Sequence, residues 1–167
     1  LQPVNVSFNQ HRQLGVERDL APGGRSAPRP QRLDERILSQ LAVLVADRAA
    51  RLRVGDPLNA DTEVGPIITA QQFATVTSLI EAGLDDGGRR VTGAALPAAL
   101  AGSPLAGGHW VMPTLLDGVT PANRLETTAV FGPVVGADAF DTEAEAIARA
   151  NNTSFGLAGA VWTSDVS

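Results

Sequence analysis

The stretch "FGPVVGADAFDTEAEAIARANNTSFGLAGAVWTSD", residues 131–165, decides the fold. Its first part, through Phe140, reads as a strand. Asp141 or Thr142 then caps a helix, and Thr142-x-x-Glu145 has the spacing of a capping box. Asn151 and Asn152 end that helix. "FGLAGAVWT", residues 155–163, is apolar again and reads as a second strand. Strand, helix and strand with short connections imply a right-handed parallel crossover. The expected class is therefore α/β, with a parallel-type twisted sheet flanked by helices. The start of the stretch is unusual, because glycine weakens a strand and proline cannot donate to its ladder. An aromatic, a glycine and a proline stand together where the apolar run begins.

Working outward, the clearest helix covers residues 34–53, "DERILSQLAVLVADRAARLR". Leu38, Leu41, Val45, Ala49 and Leu52 recur at spacings of three and four and make one apolar stripe. Asp34 and Glu35 at its start, and Arg48, Arg51 and Arg53 at its end, complement the helix dipole. "VGDPLNADTEVGPI" follows as a turn region, in which Asp61 and Glu63 read as solvated loop charges. Thr69 opens a second helix, and Thr69 with Gln72 matches another capping box. Phe73, Val76, Ile80 and Gly83 form its inner face. Asp85 and Asp86 read as turn charges at its end, before a short strand at Arg90–Thr92. Residues 94–108 are rich in Ala, Gly and Pro and read as loop. "HWVMPTLL", residues 109–116, reads as a strand interrupted at Pro113.

The chain's beginning is different. Residues 10–32 hold three prolines, three glycines and five arginines without a period, and read as a loop or disordered insert. Before them, Leu1, Val4, Val6 and Phe8 are apolar. The first residue is Leu, and an apolar run lies close to each end, so a fragment of a longer polypeptide is expected. Exposed apolar strands of this kind would seek a partner or a second copy.

Bulk composition narrows the function classes. At 44% apolar and 19% charged, the 167 residues are those of an ordinary globular domain. A net charge of −5 carries no nucleic-acid or anionic-membrane footprint. With no cysteine, disulfides, thiolate metal sites and a cysteine nucleophile are excluded in this chain. That composition fits a reducing compartment, and the cytoplasm is expected. No apolar run approaches the roughly 18 residues of a membrane span. The Asp and Glu residues are scattered, so no metal site is expected.

"VGDPLNADTEVGPIIT", "GGHWVMPTLLDGVT" and the stretch from Phe131 stand in an order and spacing that resemble the catalytic-domain half of the NAD(P)-dependent aldehyde dehydrogenase family. The resemblance divides the chain into residues 1–33, an irregular segment, and residues 34–167, a partial catalytic domain. It implies NAD or NADP as cofactor, an aldehyde as substrate, and a partner that is either the remainder of the polypeptide or a second copy. It also gives the Phe-Gly-Pro start a purpose. Phe131 is similar to a phenylalanine that packs against the nicotinamide end of the cofactor. Gly132 would permit close approach of backbone and ligand, and Pro133 would fix the entry angle.

The departures from the family pattern matter as much. The family carries a Glu two residues before that Phe, which accepts hydrogen bonds from ribose hydroxyls; here the residue is Ala129. Such a charge-assisted bond contributes about 1.5–3 kcal/mol. Glu126 lies at an odd offset and is not a substitute. The family's Gly-Gln-x-Cys segment is absent: Gln13 matches its Gln, and no cysteine follows. Neither His11 nor His109 is placed as a base for Ser7, Ser26 or Ser39. No catalytic residue is therefore expected in this chain, and the candidate cofactor residues are Phe131 and Gly132. Residues 14–32 are either a divergent or a frame-shifted version of the nucleophile loop: the codons for Val16–Leu20, read one base earlier, are compatible with a Cys-x-Ala-Gly-Ser-Arg-like sequence. Two functions follow. One is a fragment of an aldehyde-oxidising enzyme, inactive by itself. The other is a non-catalytic scaffold with the same fold.

Overall fold

A computed structural model describes residues 4–8, 12–16, 31–93, 95–156 and 160–162. Its described elements are, in chain order, β1 (Val4–Phe8), β2 (Arg12–Val16), α1 (Gln31–Ala50), α2 (Ala70–Asp85), β3 (Arg89–Thr92), α3 (Ala98–Ala101), β4 (Thr114–Asp117), α4 (Arg124–Thr127), β5 (Val134–Ala139), α5 (Glu143–Ala150) and β6 (Ala160–Trp162).

Six strands form one sheet in the order β3-β4-β5-β1-β2-β6. The class is α/β as expected, but the sheet is mixed. β4 with β5 and β2 with β6 are parallel, while β3 with β4, β5 with β1 and β1 with β2 are antiparallel. The expected strand-helix-strand unit is present as β5-α5-β6. Its two strands run in one direction but are not neighbours, because the β1-β2 hairpin lies between them. The segment expected as irregular, residues 1–33, thus holds two strands of the sheet, residues 4–8 and 12–16, and the first residues of α1. Residues 17–30 lie outside the described residues.

β4 and β5 carry the core because they alternate between two faces. Leu116 and Val134 join Val76 and Ile80 of α2, with Val111, Val119, Leu125 and Val130. Leu115 and Ala137 point the other way and meet Ala42, Leu41 and Val45 of α1. α1 therefore covers one face of the sheet and α2 the other. Full burial of one such side chain, Val76 for example, contributes about 1.5–3 kcal/mol.

Both strands of the β4–β5 parallel pair begin immediately after a proline. Residues 109–113, expected as part of a strand, are not one; β4 starts at Thr114, after Pro113, and β5 at Val134, after Pro133. Thr114 pairs with Val134, so the prolines stand at the same level, where neither has to donate. Pro133 still accepts, through its carbonyl, from the Thr114 N–H at 2.8 Å.

Two expected caps form. Thr69 Oγ1 accepts from Gln72 N, and Thr142 Oγ1 accepts from Glu145 N. In the second, Glu145 reaches back one residue beyond the cap, its carboxylate accepting from the backbone N–H of Asp141. The first is not closed by its own side chain: Gln72 is used elsewhere. The turn residues Asp56 and Asn59 accept from Leu58 and Asp61 N–H groups. Glu63 is no free loop charge. It pairs with Arg48 and accepts from Arg53 N, joining the end of α1 to the turn. Its carboxyl lies below the usual carboxylate range, first because of the Arg53 backbone bond and then because of Arg48.

Candidate functional site

The site grows from the junction of α2, α4 and β5. The one-turn helix α4 is fastened to α2 from below. Buried Asn123 caps it by accepting from Leu125 N, and donates to the Gly83 carbonyl at 2.8 Å. Leu125 lies against Gly83, where an added Cβ would stand 2.3 Å from Leu125 Cδ1. Gly83 is thus a contact residue on the inner face of α2, as expected. At the end of α2, Asp86 takes Arg124 in a two-pronged pair at 2.7 and 2.9 Å. Arg124, through its side-chain and backbone hydrogen bonds, lowers the Asp86 carboxyl from 3.8 to about 2.

From α4 the chain runs to Val130, which is fully buried. Phe131 follows with φ of 51°, the one non-glycine left-handed residue among those described, and the residue is 52% exposed. Gly132 is buried again. The backbone therefore enters the core, leaves for one residue, and returns. The cause lies in α2. Gln72 Nε2 donates to the carbonyls of both Val130 (2.9 Å) and Phe131 (3.3 Å). Successive carbonyls of an extended chain point to opposite sides. Both can face one amide only if the backbone turns between them, and the left-handed Phe131 supplies that turn. The conformation costs about 1–2 kcal/mol for a residue with a Cβ.

Gly132 has a packing reason to be glycine. A Cβ there would lie 2.8 Å from both methyl groups of Val76. The close approach is to α2. Of the two candidate cofactor residues, Phe131 presents a half-open ring to the outside, and Gly132 lets the turn seat on the helix. Ala129 is half-buried and offers no polar side-chain atom. The chain's residues therefore fit a planar cofactor ring as an apolar contact, without a hydrogen-bonding anchor from residue 129.

Glu126, at the odd offset, is committed elsewhere. It stands on α4, not on a strand, and accepts from Arg149 Nε at 3.0 Å. Arg149 is the buried cation among the described residues. It also pairs with Asp138 at 3.1 Å and donates to the Ala139 and Val119 carbonyls. Burial works against its charge. The Glu126 hydrogen bond and the charges of Glu126 and Asp138 outweigh this, and its pKa is raised. Neither Arg149 nor Gln72 was singled out for these roles. The capping-box spacing accounts for Gln72 by itself, and nothing local in the sequence marks Arg149.

The remaining sequence candidates are scattered. His109 is half-buried and stacks on Phe73 at 5.4 Å. Gln13 lies on β2, paired with Ser7. His11 lies outside the described residues. Two cavities lie near the sheet, and one of them reaches the turn at Gly132. One, of about 430 Å³, is apolar and lies between α1 and the starts of β4 and β5, with Leu44, Val45, Pro113, Gly132 and Pro133 in its wall. The other, of about 360 Å³, is bordered by Phe73, Glu81, Arg90 and Trp110. Among the described residues no group of three or more His, Asp or Glu is placed to hold a metal ion. No described helix is long and apolar enough to cross a membrane.

This fold is that of a group of aldehyde-oxidising enzymes. A variant of aldehyde dehydrogenase C from Pseudomonas syringae, solved with NAD+ and octanal, matches 78% of this chain and 26% of its own at 33% identity, with a TM-score of 0.69. The Mycobacterium tuberculosis aldehyde dehydrogenase solved with NAD+ matches 80% and 26% at 33% identity and 0.69. In sequence, betaine aldehyde dehydrogenase of Cereibacter sphaeroides is 41% identical over 122 residues, 73% of this chain and 24% of its own length. That of Bacillus subtilis is 34% identical over 134 residues, 80% and 27%. The aldehyde dehydrogenase family model matches residues 31–167, and the chain belongs to that family. It spans about a quarter of the length of these relatives.

Proposed function

We propose that this chain supplies part of the catalytic domain of an NAD(P)-dependent aldehyde dehydrogenase. Phe131 lies beside the nicotinamide, and Gly132 seats the turn that carries it. The observation behind this reading is the half-exposed Phe131 ring, held outward on a strained backbone where burial would be expected. Relatives solved with NAD+ support it. When bound, NAD(P) accepts the hydride from the aldehyde carbon. The residues here contribute an apolar wall for that event; the thiolate nucleophile and the general base come from outside this sequence. The chain alone is therefore inactive. Its partner is the rest of such a polypeptide or a second copy, and its compartment is the cytoplasm. Residues 14–32 carry a divergent or frame-shifted version of the nucleophile loop ahead of the partial catalytic domain at 34–167, while β1 and β2, from residues 1–33, join the sheet of that domain.

A second reading, a non-catalytic scaffold, is favoured by Ala129 together with the missing cysteine. The deciding experiment is to sequence the encoding DNA from well upstream of Leu1 through the codon for Leu33, translating all three frames. The chain is then assayed for NADH formation with betaine aldehyde and octanal. An upstream dinucleotide-binding domain with a cysteine codon in a shifted frame supports the enzyme, and restoring the frame should then restore turnover. A start codon beside Leu1 with no cysteine in any frame leaves the scaffold. A single monomer peak in size-exclusion chromatography at low concentration would count against the partner.

A further inference from the structure

We infer that Gln72 is a positioning residue whose carboxamide sets the pose of the Phe131 ring. This deepens the proposed function and rests on its placing of Phe131 beside the cofactor. Gln72 does two separable things. Its backbone N–H is held by the Thr69 hydroxyl at 3.1 Å, which caps α2. Its side-chain amide holds the Val130 and Phe131 carbonyls at 2.9 and 3.3 Å, on the far side of a gap of 58 and 59 residues in sequence. A side chain at the third position of a helix ordinarily turns back to close its own cap. Here it is diverted, and the diverted amide faces the one non-glycine left-handed residue among those described. Val76, one turn further along the same helix, packs closely against Gly132 of the turn. The first two turns of α2 therefore form a cradle for residues 130–132. Without the amide donor, the two carbonyls have no reason to face the same way, and Phe131 can return to an ordinary extended conformation.

The test uses the chain as it is, with two single variants. Gln72→Glu keeps the shape and the backbone cap, removes the donor and places an acid in the first helical turn, where it is favourable. Thr69→Ala removes the cap and keeps the donor. The pose is read by NMR, since a left-handed residue gives a strong intraresidue N–H to Hα contact, and by the rate at which chymotrypsin cuts after Phe131. The melting temperature is read alongside. Gln72→Glu is expected to keep its melting temperature, lose the strong Phe131 contact and be cut several-fold faster. Thr69→Ala is expected to melt a few degrees lower with the Phe131 signal unchanged. An unchanged signal and cutting rate in Gln72→Glu would overturn the inference, as would loss of the signal in both variants to the same extent. These readouts do not involve a cofactor. The reading of Phe131 fails separately, if Phe131→Ala leaves NAD+ affinity unchanged in the frame-restored protein.

Discussion

At the scale of single residues, the chain keeps strain where the core could have avoided it. Phe131 could be replaced by residues that suit its backbone better. Asn tolerates the left-handed region and Ala does not. Phe131→Asn is therefore expected to be more stable than Phe131→Ala by about 1 kcal/mol in urea unfolding, although both lose the same ring. Equal stabilities would mean that the left-handed turn is not held in solution. Asp86 offers a pH handle. Its carboxyl is depressed from 3.8 to about 2 by Arg124, so the stabilisation is complete above the unfolded value and is lost as pH falls through about 2. Thermal melts of the wild type and Asp86→Asn should differ at neutral pH and converge between pH 4 and 2. The sequence showed Phe131 because an aromatic beside Gly-Pro breaks the grammar of a strand. It did not show Gln72 or the Asp86–Arg124 pair, since their partners lie about 40 to 60 residues away and no local period connects them.

At the scale of elements, α2 is the organising helix, and Gly83 shows how. Glycine inside a helix ordinarily costs about 0.5–1 kcal/mol relative to alanine. Gly83→Ala would recover this, but the new methyl would meet Leu125, with Leu116 Cδ1 also at 3.1 Å. Overpacking of that kind costs about 1–3 kcal/mol. The net effect is expected to be destabilising, read as a lower urea midpoint. A stabilised variant would mean that α4 moves freely against α2. Helix caps were legible because they are local: Thr69 and Thr142 stand where the capping pattern puts them. α4 was not, because four residues are too few to show a period. β2 was missed because its alternation is buried in an arginine- and proline-rich context. The mixed pairing was illegible for a related reason. A strand's direction is set by which neighbour it finds, and the intruding β1-β2 hairpin comes from the far end of the chain.

At the scale of the whole molecule, Arg149 ties together pieces that sequence separates. One guanidinium holds α4 through Glu126, β5 through Asp138 and the Ala139 carbonyl, and the loop after β4 through the Val119 carbonyl. Arg149→Met would leave the Glu126 carboxylate, 6% exposed, without its cation. The cost of stranding a buried charge is about 3–5 kcal/mol, enough to consume much of an ordinary domain's stability. Cooperative unfolding at wild-type urea concentrations in that variant would show that the cluster is not a common tie. The paired prolines have a different consequence, for misfolding. A strand pair with unbroken donors can slide along itself and still find bonds. Sliding β4 along β5 would bring Pro113 or Pro133 into a rung that needs an N–H, while a one-residue slip would also turn Leu115 and Leu116 to the wrong faces. The alignment of these two strands is thus self-correcting: among the ways they can meet, the native one alone leaves both prolines off the ladder.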